Sequence, residues 1–170
     1  MEENTLLKQF HTRMTEFKQS TQHFEEERDI EDVRLLRVVI KKLWALLTFT
    51  EQLTNKEFKK KQHWELLKPV FKRAGKLRDI HVNREKAMEK RPYCAKPYSV
   101  LLESREKKEE RKLNLIIDDL DVNKLDELNN NLVNMLEKYT DDEILEAANQ
   151  YVERKLTKVK KLRNEAGSDK

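Results

Sequence analysis

Residues 33–50 read VRLLRVVIKKLWALLTFT, with neither glycine, proline nor a carboxylate among them. Val33, Leu36, Ile40, Leu43, Leu47 and Thr50 follow one another in alternating steps of three and four. That spacing gathers side chains onto one face of an α-helix. Upstream, Leu7, Phe10, Met14, Phe17, Thr21 and Phe24 repeat the same steps and predict a first helix that closes in the acidic cluster Glu25 to Glu27. The second helix opens near Asp29, with acidic residues in its first turn where the helix dipole favours them, and Asn55 marks its stop.

Downstream, a third helix is predicted from about Lys56 to Lys90 on Phe58, Trp64, Leu67, Phe71, Leu77 and Val82. Pro69, which lacks a backbone donor, is expected to bend or restart it. Arg91 to Pro97 (RPYCAKP) reads as the connector. A fourth helix then runs from Tyr98 to Leu120, and its middle, Glu103 to Lys112, has no apolar residue and is expected to project into water. Leu125, Leu128, Leu132 and Leu136 predict a fifth helix over 123–139. Thr140 with Glu143 has the form of a capping box opening a sixth, with a stripe of Ile144, Ala148, Val152, Val159 and Leu162 and a frayed end at Gly167.

Two glycines and three prolines in 170 residues cannot supply the turns of a β-sandwich, a β-barrel or a Rossmann sheet. The expectation is an all-α bundle of about five to six antiparallel helices, forming a single domain over 1–165 with a short disordered tail at 166–170. Charged residues make up 40% of the chain and the mean hydropathy is −0.93, which reads as wet helix faces around a modest core. No apolar run approaches the roughly 20 residues of a membrane span. The N-terminus lacks a secretory h-region, and a lone Cys94 excludes an intramolecular disulfide or a cysteine zinc cage. The cytoplasm is the default compartment.

Net charge is unevenly distributed. Residues 1–33 carry −5, residues 34–91 carry +11 and residues 92–170 carry −2, so one third of the chain has the field of a polyanion binder. Arg34, Arg37 and Lys41 share an arc of about 60° on the second helix, an arrangement that costs repulsion unless an anion arrives. On the third helix, Gly75 costs about 1 kcal/mol relative to alanine and signals close approach by a neighbour. Arg78 is read as sharing the face of Phe71, Gly75, His81 and Val82, and it needs either a salt-bridge partner on another helix or an anion.

His81 reads as a neutral hydrogen-bonding group, and His11, His23 and His63 as surface or half-buried fillers. No histidine spacing suggests a metal, and none is expected. Lys56, Lys59, Lys60 and Lys61 read as a solvated cluster, Trp44 and Trp64 as core. With glycine only at 75 and 167, a P-loop, a nucleophile elbow and a dinucleotide fingerprint are excluded. No catalytic residue and no cofactor are expected.

Val33-Arg34-Leu35-Leu36-Arg37-Val38-Val39-Ile40-Lys41-Lys42-Leu43-Trp44 and Ala74-Gly75-Lys76-Leu77-Arg78-Asp79-Ile80-His81-Val82 together resemble the two motifs of the CHAD family, the conserved histidine α-helical domain. The first family motif begins V-H-D-L-R-V and the second has the form L-G-x-x-R-D-x-x-V. The resemblance implies a helical bundle that binds inorganic polyphosphate without catalysis, in a cytoplasmic setting that includes polyphosphate granules. It implies anion binding by Arg37, Lys41, Lys42 and Arg78, which match the motif's cations. The expected anion-binding set is therefore Arg34, Arg37, Lys41 and Lys42 on the second helix with Lys72, Arg78 and His81 on the third.

The chain departs from the family at its namesake histidine, where Arg34 stands, making that charge permanent. The family domain is a pair of similar helical halves, and this chain stops about where the second motif would begin. It reads as a short or half-length member, or as one of two associating copies that each supply a basic wall. A nucleic-acid-binding module and a helical protein–protein adaptor are the rival readings. DNA or RNA would have to compete with polyphosphate under the first, and an acidic protein partner would be required under the second.

Overall fold

A computed structural model of the chain describes residues 4–90 and 96–168. Among the described residues there are six helices and no strand: α1 (Thr5–Glu27), α2 (Ile30–Leu53), α3 (Lys60–Lys90), α4 (Lys96–Asp118), α5 (Val122–Leu136) and α6 (Asp141–Ser168). The all-α bundle expected from periodicity is the architecture observed. Residues 91–95 of the expected connector, and 169 and 170 of the expected tail, lie outside the described residues.

Successive pairs among α1 to α4 pack side by side, and the contacts that join them fix antiparallel directions. His23 Nδ1 meets Asp32 Oδ2 at 2.8 Å across α1 and α2. The Trp44 and Trp64 rings lie 4.5 Å apart across α2 and α3, and Arg84 bonds Glu106 across α3 and α4. α5 lies against α1 and α3, and α6 reaches the end of α2, where Phe49 meets Tyr151 edge-on. Phe10, Phe17, Phe24, Leu36, Ile40, Leu43, Leu67, Leu77 and Leu113 are buried between the helices. Each contributes roughly 1.5–3 kcal/mol relative to exposure.

The helix ends follow from local chemistry. Asn4 caps α1 by accepting from the Leu7 backbone N–H at 3.0 Å. Its amide also donates to the carbonyls of Leu136 (2.9 Å) and Tyr139 (3.1 Å), tying the N-terminus to the end of α5. α1 stops where Arg28 enters the left-handed region at φ 55°. Glu143 accepts from the Thr140 N–H at 2.8 Å, and Thr140 Oγ1 accepts from Glu143 N–H at 3.3 Å, completing the capping box.

Four expectations change. The third helix begins at Lys60, not Lys56, because Asn55 and Lys56 adopt φ of 49° and 70°, and Thr54 Oγ1 holds the turn by accepting from Phe58 N–H at 3.2 Å. α3 runs unbroken through Pro69; Glu65, whose carbonyl loses its donor, is exposed, so water can serve it. The charged middle of α4 meets water on one face only, where Glu103, Arg105, Lys107 and Lys108 are exposed. Glu106 is buried and Glu109 half-buried, held against α3 by Arg84 and Arg73. Of the stripe expected on α6, Ile144 is buried, whereas Val152, Val159 and Leu162 are each more than half exposed.

Candidate functional site

The seam between α2 and α3 places the basic residues. Arg37 lies half-buried on the α3 side of α2. Its Nη1 donates to the Phe71 carbonyl at 3.4 Å, and its Cζ sits 4.9 Å from the Phe71 ring centroid, a cation–π distance. The guanidinium occupies the space left by Gly75, where an added Cβ would stand 2.2 Å from Nη1. The close approach signalled by Gly75 is thus made by an arginine side chain, not by a neighbouring backbone. Arg37 forms no ion pair among the described residues.

Two contacts set the register of the seam: Arg37 opposite Phe71 and Gly75, and Trp44 opposite Trp64. Between them, Lys41 on α2 falls level with Lys68 on α3, and Arg37 falls level with Lys72. Helical spacing puts Lys41, Lys68 and Lys72 on the outer lip of the same groove. All three are exposed, and none makes an ion pair among the described residues. Lys68 is absent from the sequence-derived set. It carries no motif match, and only the antiparallel register brings it opposite Lys41.

The upper end of the seam is different, because carboxylates of the same chain already lie there. Arg34 Nε donates to both carboxylate oxygens of Glu31, at 2.7 and 2.9 Å, one turn earlier on α2. These bonds, followed by the charges of Arg34 and Arg78, hold Glu31 below the usual carboxylate range. Arg78 itself lies 3.7 Å from Glu85 on its own helix. A bound anion would have to compete with Glu31 and Glu85 at Arg34 and Arg78, but not at Arg37 or Lys41.

Two members of the sequence-derived set fall elsewhere. Lys42 points away from α3 and, with Glu16, Gln19 and His23 of α1, lines a cleft of about 490 Å³. His81 is 2% exposed and faces α4, with Nε2 3.1 Å from Glu106 Oε1. Burial holds its imidazole below the usual range, against the opposing charge of Glu106. Its helical position turns it about one third of a turn from Gly75, not onto the shared face expected of it, toward the α3–α4 junction. The tryptophans flank the lower end of the seam, packed against each other at a tilt of 43°, with Lys60 Nζ 5.1 Å above Trp44 and 2.9 Å from Glu51.

The model of one protein family, the CHAD domain, matches residues 12–170. The chain belongs to the CHAD domain family. Comparison with curated proteins and with solved structures finds no significant match. In this CHAD domain the motif positions divide by geometry. Arg37 and Lys41 border the open groove, Arg34 and Arg78 lie beside glutamates, and Lys42 lies on the α1 side. No helix among the described residues is long and apolar enough to cross a membrane.

Proposed function

We propose that this CHAD domain binds inorganic polyphosphate, without catalysis, along the groove between α2 and α3. Arg37, Lys41, Lys68 and Lys72 make the principal contacts; Arg34 and Arg78 join by exchanging their glutamate partners for phosphate. Family membership supports the reading. The observation that carries it is the setting of Arg37. A guanidinium wedged over Phe71 and into the Gly75 space, with exposed lysines on both lips and no carboxylate on it, is a fixed, unneutralised fork for a phosphate. The lysines add mobile charge along a chain whose negative sites repeat, so affinity comes from summed neutralisation and not from recognition of one group.

The direct test is binding of long-chain polyphosphate to the wild type and to a Lys41→Ala/Lys68→Ala/Lys72→Ala variant across a salt series. These lysines are exposed and make no structural bond, so the variant is expected to keep its helicity. Affinity should fall by at least roughly tenfold, about 1.4 kcal/mol, and the salt slope should flatten. Unchanged affinity in the folded variant would refute the site. The nucleic-acid reading predicts competition by single-stranded DNA at matched phosphate concentration. Trp44 and Trp64 are half-buried and engaged by each other, by Lys60 and by Phe71, which disfavours stacking on bases, so polyphosphate is expected to win.

A further inference from the structure

The α3–α4 junction holds a cluster that the groove does not use. His81 from α3 meets Glu106 and Glu110 from α4, and one ligand atom from each residue lies within 4.8 Å of the others. Glu106 and Glu110 are four apart, so they share one face of α4 and present two carboxylates to the same point. The His81 side chain is 2% exposed. Among the described residues, neither of its ring nitrogens has a hydrogen-bond partner of acceptable geometry. A buried imidazole left without a partner, beside two carboxylates, costs stability as it stands.

We propose that His81, Glu106 and Glu110 form a binding site for a divalent transition-metal cation of the zinc class. One nitrogen and two carboxylate oxygens make the mixed donor set that such cations take with three protein ligands, the remaining position going to water. A cation suited to oxygen alone, such as magnesium or calcium, gains nothing from the imidazole. His81 Nε2 and Glu106 Oε1 are already 3.1 Å apart, close to the roughly 3.4 Å separation of ligand atoms around tetrahedral zinc at its usual bond lengths.

Arg84 Nη1 donates to the other oxygen, Glu106 Oε2, at 2.5 Å, which orients Oε1 toward the histidine, as outer hydrogen bonds orient metal-bound carboxylates. Glu110 makes no ion pair among the described residues, and burial together with the charge of Glu106 raises its carboxyl above the usual range. A cation would relieve both. It would also join α3 to α4.

The test uses the full chain, stripped with chelator and free of polyphosphate, titrated with Zn²⁺ by calorimetry and with Co²⁺ by visible absorption. Wild type is expected to bind one cation per chain, to gain a cobalt ligand-field band, and to melt at higher temperature with zinc. Glu110→Gln should keep its helicity and its metal-free melting temperature while losing at least tenfold in affinity. Glu103→Gln, an exposed change on the same helix, should bind as wild type does. Absence of zinc binding below millimolar concentration overturns the proposal, as does a Glu110→Gln variant that binds zinc and cobalt like wild type.

Discussion

Arg37 and Gly75 fill one another's space: the guanidinium of the first lies where a Cβ of the second would be, 2.2 Å from its Nη1. Two opposing effects then bear on Gly75→Ala. Alanine improves the helix by about 1 kcal/mol, while the new methyl displaces Arg37 from Phe71. The single variant should melt within a few degrees of wild type and lose polyphosphate affinity. In an Arg37→Ala background, where nothing is displaced, the same change should stabilise by about 1 kcal/mol. A double-mutant cycle by urea denaturation measures the difference.

Burial, not bond geometry, should rank the ion pairs. Arg34 and Glu31 are about half exposed, 48% and 53%, so Arg34→Ala should leave the denaturation midpoint essentially unchanged. Glu106 is only 10% exposed, and removing Arg84 strands its carboxylate. Arg84→Ala should therefore cost on the order of 3 kcal/mol, read from the denaturation midpoint.

Acid sensitivity should trace in part to His63. The ring is 2% exposed, packed 5.3 Å from the Phe58 ring, and burial pushes its pKa down to about 4. The folded value lies below the unfolded one of about 6.5, so the unfolded chain takes up the proton first. The contribution is fully present above pH 6.5 and is lost as pH falls from about 6.5 to about 4. The total is of order 3 kcal/mol. His63→Leu should flatten the stability curve over that window.

Asn4 serves three backbone groups at once. Asn4→Ala should cost about 2 kcal/mol, combining a lost N-cap with two lost donations, of which the one to Leu136 leaves a carbonyl that keeps another donor, Tyr139 N–H. Asn4→Asp keeps the cap but cannot donate, so it should recover only part of the loss. Thermal melts of the three proteins decide this.

The helices were legible because their apolar residues repeat at three and four: the stripe from Leu7 to Phe24 is buried over its whole length, and the Thr140–Glu143 cap formed as spaced. The basic face of α2 was legible for the same reason. What spacing along one helix cannot say is which residue of another helix a charge will meet. Glu106 and Glu109 look like solvated charges until Arg84 and Arg73 approach from α3. Lys68 gains its place only through the register with Lys41. His81 and Glu110 stand 29 positions apart in sequence, too far for any local pattern to join them. For Arg34 the motif alone does not show the counterion, Glu31, which lies one turn before it on the same helix.

The fastening of α4 to α3 by Arg73 and Arg84, beside a body sealed by phenylalanine and leucine, makes the molecule respond unevenly to ionic strength. Dissolved ions weaken the electrostatic clasp between α3 and α4, while salting-out anions tighten the oily core. Amide exchange should quicken first near residues 80–89 and 98–107, with the phenylalanine layers still closed. A change in the ionic surroundings therefore reaches the inside of this small protein through the junction of α3 with α4.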